Sequence, residues 1–261
     1  MKARTSDGRE IDLDQTIVDT LRTRLRGPVL VPGDAGYEDS RTVWNGMIDR
    51  RPALVARCLG TADVIAGVQV GGEHDLLLCI KGGGHNIGGL ATADGVPMLD
   101  LSLMRGVWVD PPRTLARAHA GCVLGDVDRE TPVRGLAAVP GFVSATGIAG
   151  PTLAGGFGYL TRRWRWGPTL SRADVVTADG RVVWASSDEH PDFFWVARRR
   201  GEFWRRDPHR VHALPGQAGD RGRSRRARGA RGEGRVATVL GRKVGEVTGR
   251  RFLQPIGGHR P

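Results

Sequence analysis

The chain has 261 residues, of which 39% are hydrophobic, so it is long enough for one or two domains with a buried core. It contains no apolar run long enough for a membrane-spanning helix, and its first residues lack the apolar stretch of a signal peptide. The net charge of +11 comes entirely from residues 198–261, where 18 Lys and Arg face 5 Asp and Glu; residues 1–197 carry −2, which argues against a basic nucleic-acid-binding body.

The apolar pattern predicts alternating helices and strands through most of residues 1–197. One face of residues 11–25 is apolar, which predicts a helix that ends at Gly27-Pro28. Thr61 is the expected N-cap of a second helix reaching about His74, and a third helix over 123–134 should be shortened by Pro132. Strands are predicted at 53–58, 76–81, 97–101, 106–109 and 114–120, and a β-hairpin with an Asp-Gly turn at 173–185.

The three cysteines, Cys58, Cys79 and Cys122, are odd in number and far apart in the sequence. This usage is typical of buried, reduced thiols and does not indicate a disulfide framework or a metal site. We therefore expect a cytoplasmic protein with no metal and no membrane attachment.

A glycine-rich motif, Lys81-Gly82-Gly83-Gly84-His85-Asn86, directly follows the predicted strand at 76–81. Glycine lets the chain turn with positive φ and approach a ligand closely, and successive N–H groups in such a turn form an anion-binding concavity. The motif therefore predicts a site for a large anionic ligand, with a histidine at its rim.

A second glycine-rich stretch, GFVSATGIAGPTLAGGFG, covers residues 141–158. Its apolar residues Val143, Ile148, Leu153 and Phe157 are interleaved with the glycines as though packed in a core. A buried glycine-rich backbone needs hydrogen-bond partners, which the polar edge of a cofactor would supply. The alternative is a flexible surface loop.

The ordered motifs between Val31 and Trp195 resemble FAD-dependent oxidases with a p-cresol methylhydroxylase (PCMH)-type flavin-binding domain, in the branch similar to berberine bridge enzyme and 6-hydroxynicotine oxidase. The segments that carry the resemblance are KGGGHN at 81–86, GDVDRET at 125–131, GFVSATGIAGPTLAGGFGYLTR at 141–162, ADVVTADGRVV at 173–183 and HPDFFW at 190–195. The resemblance implies an α+β fold, a PCMH-type domain of two β subdomains with flanking helices, and FAD extended between the subdomains. It also implies an FAD-dependent oxidoreductase of the oxidase type, in which the flavin takes a hydride from a small alcohol, amine or sugar-like substrate and dioxygen reoxidises it.

The resemblance also assigns roles to individual residues. His85 corresponds to the histidine that many members bond covalently to the 8α-methyl group of the flavin; the alternative is a loop histidine that only hydrogen-bonds. Contacts to FAD are implied for the diphosphate loop, for the second glycine stretch and for the backbone of one strand residue near the adenine: Gly82, Gly83, Gly84, Asn86, Thr146, Gly147, Gly150 and Val176.

Other positions are expected to have no catalytic role. Ser144 stands where some members carry a second flavin-linking cysteine, so the resemblance implies one covalent bond at most. Tyr37 and Tyr159 are expected to pack, and Asp126 and Asp128 to lie on a solvated helix. No catalytic base can be identified in this chain.

The chain departs from the family pattern in two places. Residues 164–172 lack the Asp-Asn element of the family. After Trp195 the family continues as Gly-Gly-Gly-Gly-Asn-Phe-Gly-Val-Val-Thr, whereas this chain continues into the arginine-rich run that begins at Arg198. If Arg is written CGN and the codons for residues 198–207 are read one base later, they admit the family sequence at ten consecutive positions.

These observations predict three regions and leave two functions open. The regions are an N-terminal helix at 1–30, a PCMH-type FAD-binding domain at 31–197, and a disordered Arg/Gly-rich tail at 198–261 that is translated out of frame. On this hypothesis the chain is a truncated oxidoreductase whose activity is open. The alternative is a non-enzymatic protein whose Arg/Gly-rich tail binds RNA; nucleic acid is not expected elsewhere on the chain.

Overall fold

The computed structural model describes residues 1–138, 141–159, 170–199, 209–212 and 214–215. The helices are α1 (Gln15–Arg24), α2 (Tyr37–Arg41), α3 (Thr61–Glu73), α4 (Leu124–Glu130), α5 (Ala149–Ala154) and α6 (Pro191–Arg199). The strands are β1 (Lys2–Arg4), β2 (Glu10–Asp12), β3 (Val29–Leu30), β4 (Val55–Arg57), β5 (Cys79–Lys81), β6 (Met98–Asp100), β7 (Val107–Asp110), β8 (Leu115–Ala118), β9 (Leu136–Ala137), β10 (Arg172–Val176), β11 (Val182–Ser186), β12 (His209–His212) and β13 (Leu214–Pro215). No helix in this part of the chain is both long and apolar enough to cross a membrane.

Among the described residues, the strands form two main sheets. The first has the order β3-β4-β6-β5, with β4, β6 and β5 parallel and β3 antiparallel at one edge. The second has the order β11-β10-β12-β8-β7 and is antiparallel throughout. Two sheets with flanking helices confirm the α+β fold predicted from the resemblance.

The first sheet, α1 and α3 enclose the largest hydrophobic cluster of the described residues, and this cluster reaches the second sheet. Val18 and Leu21 of α1, Val64 of α3 and Leu99 of β6 are buried in it together with Val176 at the end of β10. Because one continuous core includes residues from both sheets, it holds the loops at the ends of β5 and β10 in one rigid framework.

Buried Asp63 joins α1 to α3 and replaces the cap predicted for α3. The N-cap of α3 is Gly60, without a side-chain cap, so the prediction that Thr61 caps this helix was wrong. The Asp63 carboxylate accepts main-chain hydrogen bonds from Arg26 (2.9 Å), Gly27 (3.3 Å) and Leu59 (2.8 Å). A carboxylate that satisfies three N–H groups fixes the turn after α1 against the start of α3.

The N-terminal region contains more than the predicted helix. A β1–β2 hairpin precedes α1, which begins four residues later than predicted because the Asp14 carboxylate caps it by accepting the Thr16 N–H (2.9 Å). Two other predictions are confirmed. Helix α4 ends before Pro132, and β10 and β11 form the hairpin, in which Gly180 has a φ of +78°.

The described strands include two in the basic tail. Strand β12 lies between β8 and β10, and β13 pairs with β9. The expected disorder of the tail as a whole, and the region boundaries at 30 and 197, stay predictions.

Candidate functional site

The site is built around the loop that leaves the buried strand β5. Gly82 and Gly84 are buried, and Gly84 has a φ of +68°, a left-handed conformation that glycine adopts without strain. In the hydrogen-bond network of the described residues, the main-chain N–H groups of residues 82–86 donate to no protein acceptor. A row of unpaired N–H groups in a partly buried turn is suited to an anionic ligand.

The second glycine-rich stretch contacts this loop directly. A Cβ atom on Gly83 would lie 2.4 Å from the Cα atom of Gly147, and a Cβ atom on Gly147 would lie 2.6 Å from the Cα atom of Gly83. Both distances are far below a carbon–carbon contact, so only glycine fits at either position. The two glycine-rich segments, separated by some sixty residues, therefore form one site.

Residues 144–148 are held in place by the segment that leads into α4. The Thr146 carbonyl accepts the Leu124 N–H (2.8 Å), and the Ile148 N–H donates to the Cys122 carbonyl (2.9 Å). These bonds flank Gly147 on both sides, so the position of Gly147 against Gly83 is set by the backbone.

The packing predicted for the second stretch is half right. Ile148 and Leu153 are buried, but Val143 and Phe157 are 45% and 69% exposed, because the chain before Thr146 and after α5 runs along the surface. The prediction that Tyr159 packs was also wrong, since its side chain is 87% exposed and meets the exposed ring of Phe142 edge-on.

Three other residues predicted to contact FAD lie in different surroundings. Gly150 is exposed in α5, with open space where a Cβ atom would lie. The Val176 side chain is fully buried in the core. The contact of its backbone with a ligand stays a prediction. The Asn86 side chain accepts the Leu90 N–H (3.3 Å) and thereby shapes the turn that follows His85.

Sequence reasoning missed the segment that holds the β5 loop from the other side. The Trp44 N–H donates to the Gly84 carbonyl (3.1 Å), and the Asn45 side chain donates to the Ile87 carbonyl (2.8 Å). Trp44 also stacks on the imidazole of His85, with ring centroids 5.7 Å apart and planes inclined by 22°. This segment carries no periodic pattern, so only a tryptophan among polar residues could have drawn attention to it.

The positive charge beneath the loop was also missed. The ammonium group of buried Lys81 donates to the Ser40 carbonyl, and its Cε atom would lie 3.7 Å from a Cβ atom on Gly84. Burial lowers the pKa of Lys81, while the nearby carboxylate of Asp100 acts in the opposite direction. A buried cation directly behind a turn of free N–H groups makes the loop electrostatically favourable for an anion.

Five further side chains have structural roles. Tyr37 is fully buried, as predicted, and its hydroxyl donates to the Pro52 carbonyl (2.7 Å). Asp126 accepts the Val123 N–H (2.8 Å) at the start of α4 and pairs with Arg105, so it caps the helix. The thiols of Cys58, Cys79 and Cys122 are buried, as predicted, and form no disulfide bond with a described residue.

The donor set matches the diphosphate that joins the two halves of a dinucleotide. A diphosphate has several anionic oxygens that accept hydrogen bonds, and the loop offers unpaired N–H groups above a buried ammonium. A ligand without acceptor atoms would leave these donors unpaired, at a cost of about 1–3 kcal/mol for each buried group. The residues present therefore fit the diphosphate of FAD.

A comparison with protein families finds a match described as FAD binding domain over residues 52–186, which contain both glycine-rich segments. Among curated proteins, (R)-6-hydroxynicotine oxidase from Paenarthrobacter nicotinovorans is 38% identical over 178 residues. That alignment covers 68% of this chain and 39% of the relative.

Solved structures show the same fold. A crystal structure of 6-hydroxy-D-nicotine oxidase from Arthrobacter nicotinovorans superposes with a TM-score of 0.71 at 34% identity, covering 78% of this chain and 44% of that chain. Glucooligosaccharide oxidase from Acremonium strictum, described with a 6-S-cysteinyl, 8α-N1-histidyl FAD, has a TM-score of 0.71 at 29% identity, covering 77% and 43%. The chain thus spans about two fifths of the length of these relatives.

Proposed function

The chain belongs to the FAD binding domain family, which matches more than half of its residues, and from this premise we propose that it is the flavin-binding part of an oxidase. The observation that carries the proposal is the contact between Gly83 and Gly147, because it joins the two glycine-rich segments into one diphosphate site. The N–H groups of residues 82–86, with Lys81 behind them, hold the diphosphate. Thr146, Gly147 and Gly150 contact the diphosphate or the flavin edge, and the backbone of Val176 contacts the adenine.

We propose His85 as the attachment point of the flavin. An imidazole nitrogen of His85 would hold the flavin by a bond to the 8α-methyl carbon, which would replace the imidazole N–H bond and one methyl C–H bond. The two protons and two electrons lost from these bonds would go to dioxygen, the oxidant, and give hydrogen peroxide. Ser144 occupies the place of the second linking residue, and a hydroxyl does not form the thioether described for glucooligosaccharide oxidase, so the proposal is a single bond.

The bound flavin would accept a hydride from a substrate C–H bond and pass the electrons to dioxygen. The chain's own residues bind and orient the cofactor, and we assign none of them as the catalytic base. The similar proteins act, by their names, on 6-hydroxynicotine and on glucooligosaccharides. We therefore propose a small alcohol, amine or sugar-like compound as the substrate class, and a cytoplasmic location in keeping with three cysteines that form no disulfide bond.

The test is flavin binding by the full chain. Purified protein should be yellow or should take up added FAD with quenching of flavin fluorescence. Acid precipitation should then leave part of the flavin with the wild-type protein and none with His85→Ala. A wild-type chain that takes up no FAD would overturn the proposed site, and acid-stable flavin in the His85→Ala variant would overturn the attachment point.

We also propose that the coding sequence beyond residue 197 is read out of frame. The codons of β12, which lies between β8 and β10, are compatible with this. With Arg written CGN and the frame read one base later, residues 209–212 become Ile or Thr, then Val, Ala, Glu or Gly, then Phe, Tyr, Ser or Cys, then Met or Thr. A strand-favouring residue is therefore available at each of the first three positions, and Thr at the fourth.

The DNA sequence across codons 190–210 tests this hypothesis. A single-base difference that restores Gly-Gly-Gly-Gly-Asn-Phe-Gly-Val-Val-Thr is the expected result. An uninterrupted frame, together with an intact mass that includes residues 198–261, would refute it. Salt-dependent binding of RNA by that tail would support the alternative hypothesis instead.

A further inference from the structure

One exposed aromatic side chain lies against the histidine of the site. Trp44 is 66% exposed, yet its ring is stacked on His85 with 5.7 Å between centroids and 22° between planes. The mechanism proposed above gives this indole ring no role.

The backbone fixes the two rings relative to each other. The Trp44 N–H donates to the Gly84 carbonyl, one residue before His85, and the Asn45 side chain donates to the Ile87 carbonyl, two residues after it. The side chain of Ile48, in the same segment, packs against Gly89, because a Cβ atom on Gly89 would lie 2.7 Å from the Cγ2 atom of Ile48. The segment is therefore bonded to the loop on both sides of the histidine, which keeps the backbones of Trp44 and His85 close enough for their rings to stack.

We infer that Trp44 is a positioning residue for His85, which holds the plane of the imidazole in the orientation required for attachment to the flavin. The inference rests on the attachment proposed above. The second side-chain torsion of histidine has a broad distribution of values, so an imidazole without a packing partner would point its nitrogens in many directions. A stacked indole restricts this rotation without hydrogen-bonding either nitrogen, which leaves both free for chemistry.

The effect should be kinetic and moderate. Aromatic stacking of this kind contributes enough to change a rate by about three- to tenfold. Removing the indole should slow attachment by that factor and should leave noncovalent binding nearly unchanged, because the diphosphate is held by backbone N–H groups. Phenylalanine keeps a flat ring and should restore most of the rate.

The experiment follows the acid-stable fraction of flavin with time after FAD is added to the full-length apoprotein. Wild type, Trp44→Ala and Trp44→Phe are compared, and Trp108→Ala serves as the matched control, since Trp108 is 57% exposed on β7 and lies outside the site. Total bound flavin is measured in parallel. The expected result is a three- to tenfold slower attachment in Trp44→Ala alone, at total binding within twofold of wild type.

Two results would overturn the inference. Attachment in Trp44→Ala at the wild-type rate would show that the stacking has no positioning role, and a parallel loss of total and covalent flavin would show a purely structural one. A wild-type chain that binds FAD but never retains it in acid would instead overturn the attachment itself, and the role of Trp44 with it. The failure of each proposal is thus recognised by a different measurement.

Discussion

Substituting Gly83 by alanine tests the contact on which the site depends. The new Cβ atom would lie 2.4 Å from the Cα atom and 2.6 Å from the nitrogen of Gly147. Nonbonded carbon atoms need about 3.5–4.0 Å, so the two loops must separate by about 1 Å or more. Backbone cannot rotate away as a flexible side chain can, and overpacking of this kind costs about 1–3 kcal/mol.

The cost should appear in cofactor binding as well as in stability. If the loops relax apart in the free protein, FAD must bring them together again, and 1–3 kcal/mol corresponds to about a five- to 150-fold weaker affinity. The assay is a titration of the apoprotein with FAD, followed by flavin fluorescence, together with the free energy of unfolding in urea. The matched control is Gly46→Ala, in the segment that holds the loop, where a Cβ atom would meet nothing within 4 Å. Equal affinity and equal stability of the two variants would refute the geometry proposed for the site.

Three further predictions concern the core and the tail. Burial raises the pKa of Cys122 to about 12 from 9.0, because the folded protein favours the neutral thiol. The stability that this preference contributes is complete below pH 9. It is lost as the pH rises towards 12, at up to about 1.4 kcal/mol per pH unit. Cys122→Ala should therefore flatten the decline of the unfolding free energy between pH 9 and 11, and curves parallel to wild type would contradict the cause assigned. Asp63→Ala should lower the unfolding free energy by about 2 kcal/mol or more, because three main-chain N–H groups lose their acceptor. Asp63→Asn keeps an acceptor oxygen and should lose less stability. Urea unfolding measures both variants, and equal losses would count against the hydrogen bonds as the cause. If the frame hypothesis holds, protein expressed from a gene with the restored frame should have a C-terminus that differs from residues 198–261. The intact mass of that protein measures this.

Several features of the site could be predicted from the sequence because their causes are local. The motif Gly82-Gly83-Gly84 predicts a turn of free N–H groups, since glycine adopts without strain the left-handed φ found at Gly84. Pro132 ends α4 and Asp179-Gly180 closes the hairpin for equally local reasons. The predicted burial of Phe157 and Tyr159 was wrong because it depends on packing. Both are aromatic residues of the kind often found in cores, yet both are exposed.

The residues alone predict an anion-binding glycine turn with a histidine at its rim, a second glycine-rich segment and a tail of different character. The contact between Gly83 and Gly147, the place of Lys81 behind Gly84 and the stacking of Trp44 on His85 are visible only in the folded chain. The reason is that a turn depends on the φ and ψ angles of a few consecutive residues, which composition constrains directly. A contact between segments far apart in sequence depends on how the core of both sheets packs, and no short stretch of the chain encodes that distance.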